Sequence, residues 1–188
     1  MIYFGDGQGY VYAFDIISGK QKWRVSKGGK AEDLKVSNGL VYFYTWAEGD
    51  DLHEQFYALL KTTGKTIWQE NISNYVYGIQ VEQTKVFFLG FDGSVLIVDA
   101  TSGNKINSFL LAITDWKDKF VFDNTLYIID KQDPFIAIDS VIGSEKWRLN
   151  IHGESFRVFS SSGDIIFLSC AIPNISAVNL KSRTLKKN

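Results

Sequence analysis

The feature that most constrains this chain is a repeat. Glycines at 19, 64, 103 and 143, with Arg183 at the next place, stand 45, 39, 40 and 40 residues apart. Their surroundings repeat too. Four residues after each anchor come Trp23, Trp68, Asn107, Trp147 and Lys187; four before come Asp15, Leu60, Asp99, Asp139 and Asn179. Six before come Ala13, Ala58, Ile97, Ala137 and Ala177. A unit of about 40 residues that recurs in register is one supersecondary element, which buries its apolar face only by stacking on its neighbours.

What fills each unit is strand. Short apolar or alternating runs, such as Val11–Phe14, Leu40–Tyr44, Lys85–Leu89, Val95–Val98, Leu126–Ile129 and Ile165–Leu168, each end in Gly, Asp, Asn or Ser. Those residues supply positive φ or side-chain bonds to the backbone, which is what a turn needs. No stretch carries an apolar stripe of helical period free of strand-like runs. Four short strands per 40-residue unit describe a blade of an all-β propeller. The one long interval has a local cause. Val41 to Ala58 spans 17 residues, where Ile2–Ala13, Val86–Ile97 and Leu126–Ala137 span 11 each, so the second unit carries a six-residue insertion around Trp46–Gln55.

The motif itself carries a family resemblance. AFDIISGKQKW (Ala13–Trp23) resembles Ala-x-Asp-x-x-Ser/Thr-Gly-x-x-x-Trp, the signature of the pyrroloquinoline-quinone-like propeller repeat. IAIDSVIGSEKW and YALLKTTGKTIW are near matches, and LIVDATSGNKIN lacks the tryptophan. The hairpins FGDGQGYVYAFD and LGFDGSVLIVD look like the family's second-to-third-strand turn. The resemblance covers essentially the whole chain and implies one domain over 1–188, with blades near 1–25, 26–70, 71–109, 110–149 and 150–188. It further implies that Trp23, Trp68 and Trp147 dock between adjacent blades, a role suited to a large flat ring that buries much area for little rotamer entropy. Asn107 and Lys187 break the pattern, so the joint after the third blade and the last blade are expected to be the weaker ones.

Other function classes recede. Twenty basic and 21 acidic residues nearly cancel, giving no global field for nucleic acid or an anionic membrane. A single cysteine, Cys170, leaves no internal disulfide and no multi-cysteine metal site. The N-terminal residues show no basic start followed by an apolar stretch, and no window reaches the ~20 apolar residues of a membrane helix. If Met1 is the true start, a cytoplasmic location follows. The family's quinone enzymes carry a vicinal cysteine pair and calcium-binding carboxylates in an eight-bladed ring; these cannot be carried across, so no catalytic, cofactor or metal residue is assigned. The resemblance that remains is to the non-enzymatic branch, whose members bind peptide segments or protein loops.

Register places the candidate site. The short turns of each blade fall at one end. The second-to-third-strand loops and the blade-to-blade connections fall at the other, and irregular loops on a regular scaffold are where binding concentrates. That end collects Trp46, Asp50, Asp51, His53, Glu54, Tyr75, Tyr77, Trp116, Lys117, His152, Phe156 and Arg157. Each has a plainer reading. EGDDLHE (Glu48–Glu54) lacks the spacing of an EF-hand loop and reads as a solvated hairpin tip. His53 and His152 show no metal-ligand spacing. Trp46 and Trp116 are either partner anchors or packing residues. GDGQG (Gly5–Gly9) joins two strands and opens no helix, so it reads as a hairpin and not a phosphate cradle.

The expected function is a protein-binding scaffold that uses this loop end, as an assembly factor or a toxin-neutralising immunity protein would. The alternatives are a portion of a larger enzyme of the family and a carbohydrate-binding propeller. About 19 strands in five units are expected, with no long helix. Counting from the anchors, the chain enters at a second strand, Ile2–Phe4, so the first blade lacks its innermost strand. Membership of a larger ring, self-association, or cover of that open edge by another chain is the expected consequence, the last being favoured.

Overall fold

The computed structural model describes residues 1–46, 54–72, 76–90, 92–113, 116–130, 134–151, 157–169 and 175–187, and within these it leaves aside the side chains at 54, 72, 77, 116, 117, 157–161 and 187. Among the described residues there are nineteen strands and no helix. They form five antiparallel sheets, one of three strands and four of four. Each sheet is a blade, and the fold is that of a β-propeller.

The chain divides into two compact units, Met1–Phe109 and Leu110–Asn188. The first holds three blades. Blade one is β1 (Ile2–Gly5), β2 (Tyr10–Phe14) and β3 (Gln21–Ser26). Blade two is β4 (Lys30–Ser37), β5 (Leu40–Trp46), β6 (Glu54–Leu60) and β7 (Thr66–Ile72). Blade three is β8 (Val76–Glu82), β9 (Lys85–Gly90), β10 (Ser94–Asp99) and β11 (Lys105–Leu110), whose last residue falls in the second unit. In blade two Val41, Phe43, Tyr57 and Leu59 pack with Val11, Ala13 and Trp23 of blade one in one core cluster. The other face of the same sheet (Tyr42, Tyr44, Phe56, Ala58 and Trp68) packs with Val86, Phe88 and Val98 of blade three. The strict alternation of side chains along a strand is what lets one sheet feed two cores.

The second unit holds blade four, β12 (Trp116–Phe122), β13 (Thr125–Asp130), β14 (Pro134–Asp139) and β15 (Glu145–Asn150), and blade five, β16 (Arg157–Ser162), β17 (Ile165–Ser169), β18 (Ile175–Asn179) and β19 (Thr184–Lys187). Tyr127, Ile129, Phe135 and Ala137 of blade four pack with Ile166, Leu168 and Val178 of blade five.

Two details depart from the sequence reading. The innermost strands of blades two to five, β4, β8, β12 and β16, each carry a bulge that breaks the alternation: the pairing skips a step between Glu32 and Lys35, Val76 and Gly78, Trp116 and Asp118, and Val158 and Ser160. Tyr77, Trp116 and Lys117 therefore belong to strands, not loops. The second detail is in blade five. Counting four on from Arg183 gives Lys187, yet Lys186 pairs with Ala177. In blades one, two and four an extra residue (Lys22, Ile67 and Lys146) is left unpaired, which brings the tryptophan opposite the alanine. β19 lacks that residue and slips by one.

Candidate functional site

The repeat motif builds two things: a capped turn and a joint between blades. In the turn, Asp15 Oδ1 accepts the backbone N–H groups of Ile17 and Ser18 and the Ser18 hydroxyl, at 2.9–3.1 Å. Asp99 repeats this with Thr101 and Ser102, Asp139 with Val141 and Ile142, and Asn179 with Lys181 and Ser182. A carboxylate that accepts several N–H bonds is stabilised in its charged form. The bond from Ser18 first, helped by Lys22 nearby, lowers the Asp15 pKa to about 2. The Asp99 and Asp139 carboxyls are likewise held below the ordinary value, chiefly by the N–H groups of Ser102 and Val141. The bulge residue takes part: Lys22 sits 3.6 Å from Asp15, and Lys146 3.5 Å from Asp139. Blade two replaces both partners, with Leu60 and Ile67.

The joint is built from a row of three residues across a blade. In blade one Tyr3 pairs with Ala13 and Ala13 with Trp23; in blade two the row is Tyr42, Ala58 and Trp68. The indole N–H of Trp23 and the hydroxyl of Tyr3 both donate to the Lys61 carbonyl of the next blade, each at 3.0 Å. Trp68 and Tyr42 converge in the same way on the Ala100 carbonyl, at 3.0 and 3.1 Å. Three residues past each acceptor is the anchor glycine. A Cβ on Gly64 would lie 2.8 Å from the Trp23 ring, and one on Gly103 would lie 2.8 Å from Trp68. The glycine is thus a notch that the tryptophan fills. Both tryptophans are 8 % exposed.

The row recurs in blade four as Tyr127, Ala137 and Trp147, where the two rings lie 6.0 Å apart. Trp147 is only partly buried, and the anchor position of blade five is Arg183, with φ of 56°. Blade three carries Phe87 and Ile97 in the row, with Asn107 at the tryptophan's place in the sequence. The tyrosine was missed in the sequence because it is one aromatic among 28 Tyr, Phe and Trp residues. Only the pairing opposite the motif alanine singles it out.

The other end of each sheet carries the irregular loops. The last rungs of blade two join Lys30 to Trp46 and Glu54 to Ile72. Trp116 pairs with Asp130 in blade four, and Arg157 with Ser169 in blade five. Of the candidate binding residues, the side chain of Trp46 alone is described. Asp50, Asp51, His53, Tyr75, His152 and Phe156 lie outside the described residues, and Glu54, Tyr77, Trp116, Lys117 and Arg157 are described in backbone only. Trp46 closes β5 with 40 % of its surface exposed. Gly29 lies against its main chain: a Cβ there would come within 2.5 Å of the Trp46 carbonyl. Beside it Lys30 and Glu32 form an ion pair at 2.5 Å. GDGQG is a hairpin. Asp6 Oδ1 accepts the N–H groups of Gln8 and Tyr10, both at 2.9 Å, leaving those donors for no phosphate. The Gly9 carbonyl takes the Lys27 N–H, which seats the hairpin on the connection to blade two.

Comparisons with known proteins fit this architecture. No curated protein matches the sequence. Among solved structures, BamB from Moraxella catarrhalis superposes with a TM-score of 0.67 at 18 % identity, over 99 % of this chain and 57 % of that one. A europium-containing methanol dehydrogenase gives 0.63 at 12 % identity, over 99 % and 48 %. The Pan2 WD40 domain of Neurospora crassa gives 0.74 at 12 % identity, over 98 % and 60 %. At such identities these show the fold alone, and the chain spans at most 60 % of each of those three proteins. The sequence is matched over residues 1–184 by the family described as outer membrane protein assembly factor BamB, and the chain belongs to that family of PQQ-repeat propellers.

Proposed function

We propose that the chain is a non-catalytic propeller that binds a protein partner at the loop end of its blades. One observation carries this reading: Trp46, at the end of β5, keeps 40 % of its surface in solvent while a charged pair, Lys30 and Glu32, stands beside it. An exposed aromatic ring beside charged side chains is a common composition of an interface anchor. The motif carboxylates Asp15, Asp99 and Asp139 are accounted for by the turns they cap. The family's description supports an assembly-factor role, and the immunity-protein role is the alternative within the same class.

The likeness to methanol dehydrogenase favours a second reading, in which these blades are part of a larger enzyme of the fold. A photo-crosslinking amino acid at position 46, compared with one at Ser102 in a capped turn, tests the first reading in the producing cells. Protein adducts are expected at 46 and not at 102. Adducts at neither position, or equal adducts at both, overturn it. Charge reversal at Asp50 and Asp51 with Trp116→Ala is expected to remove the adduct at 46 while the thermal melt is retained.

A further inference from the structure

Core-facing positions on the outermost strand of a blade come two residues apart. In blade four Trp147, Leu149 and Ile151 follow one another into one core cluster, and Ile151 is fully buried. Ile151 stands eight residues past its anchor glycine. The same count gives Ile72 and Leu111 in blades two and three, and Leu111 is buried too. In blade one Trp23 and Val25 keep the pattern, but the third position is Lys27. A cation therefore stands where blades two to four place an aliphatic side chain. Its surroundings are those of an apolar position. The Lys27 N–H donates to the Gly9 carbonyl at 2.8 Å, which pins the backbone. The side chain crosses to blade two, where Nζ donates to the Thr66 hydroxyl at 2.6 Å and lies 5.0 Å from the centre of the Tyr57 ring. Tyr57 is buried, and that burial pushes its phenol above the ordinary value. Among the described residues no carboxylate pairs with Lys27. Desolvation with no opposite charge to offset it holds the ammonium below the usual lysine range. The residue nonetheless stays partly exposed, so a small solute can reach it.

We propose that Lys27 is a covalent modification site, whose amine takes a small acyl group from an activated donor such as an acyl phosphate or acyl thioester. A lysine that sheds its proton in a dry setting is a nucleophile, which is how desolvated lysines serve in covalent chemistry. The Nζ lone pair attacks the acyl carbonyl carbon. An N–C bond forms as the bond from that carbon to the phosphate or thiolate leaving group breaks, and the proton shed by nitrogen passes to solvent. The product is a neutral, amide-capped side chain at a position that blades two to four fill with isoleucine or leucine. Charge is removed there without shortening the apolar stem that lies along the joint. The site belongs to the joint between blades one and two, and it stands or falls separately from the loop-end reading.

Acetyl phosphate is the probe, applied to the full chain, with acetylation at each lysine followed over time by peptide mass spectrometry. Lys20 and Lys65, both exposed, are the references. Lys27 is expected to react several-fold faster than either at neutral pH, although less of it is exposed. Its rate is expected to level off at a lower pH than theirs. In denaturant, which dissolves the joint, the three are expected to react alike. Thr66→Asp supplies the missing carboxylate beside Nζ and is expected to abolish the advantage of Lys27 while leaving the two references unchanged; thermal melting checks that this variant folds. A rate at Lys27 in the folded chain no higher than at Lys20 and Lys65 overturns the proposal. An advantage that persists in denaturant overturns it too, because the flanking sequence would then be its source. So does an undiminished advantage in folded Thr66→Asp.

Discussion

Gly64 and Gly103 are constrained twice, once by φ of 72° and 77° and once by a tryptophan ring pressed against the place a Cβ would take. The two constraints separate experimentally. Gly39 has φ of 80° with nothing within 4 Å of a Cβ, so Gly39→Ala carries the backbone cost alone, about 1 kcal/mol. Gly64→Ala and Gly103→Ala add overpacking of about 1–3 kcal/mol, so denaturant melts are expected to place them well below Gly39→Ala. From the other side of the joint, Trp23→Ala and Trp68→Ala are expected to cost about 3–5 kcal/mol each. Trp147, partly buried where Arg183 replaces the notch, is expected to cost less than either. Trp46→Ala is expected to stay under about 1 kcal/mol, as for an exposed side chain. Equal losses at all four tryptophans are the result that contradicts this ranking. The phenol has its own test: Tyr42→Phe removes a buried bond to the Ala100 carbonyl and is expected to cost about 1 kcal/mol.

The turns make the blades sensitive to acid. A carboxyl whose folded pKa is depressed lends stability that is present above its unfolded value and is lost as pH falls through the folded one. For Asp15 that window runs from the ordinary 3.8 down to about 2. Asp99 and Asp139 act in the same direction. Asn179 makes the same two backbone bonds with a group that does not titrate in this range, and so supplies the control within the molecule. Asp15→Asn is expected to keep the turn and to flatten the loss of melting temperature between pH 4 and pH 2. A steeper loss in the variant refutes the capping role. Strands and turns of this kind were readable in the sequence because each motif residue does local work: Asp caps, Gly turns, and the strands between alternate. The bulges were not readable. Tyr77 and Lys117 looked like loop residues because a bulge interrupts the alternation that signals a strand, and the slip in β19 depends on an unpaired residue that no pattern marks. The candidate binding residues were legible only as a set of irregular loops, since a partner would be selected by their joint arrangement and not by their spacing.

Repeats of this kind draw stability from each blade and each joint, so damage is felt first by neighbours. The units Met1–Phe109 and Leu110–Asn188 have cores of their own, and the division falls at the last residue of β11, the strand that carries Asn107 in place of tryptophan. Hydrogen exchange read peptide by peptide is expected to show it. Trp68→Ala should raise exchange within the first unit and leave Tyr127–Ile129 and Ile166–Leu168 of the second unchanged. A uniform rise over both units shows a single cooperative body instead. The joints also have a consequence for how such a chain can change over generations. Lys61 and Ala100 share no side-chain chemistry, yet each receives an indole and a phenol, because the acceptor is the main-chain oxygen that every residue carries. Partner positions across a seam therefore owe each other no matching substitutions. A blade can be duplicated, deleted or exchanged with another and meet its new neighbour with the required acceptor already present, so blades of this kind can keep their architecture at 18 % identity.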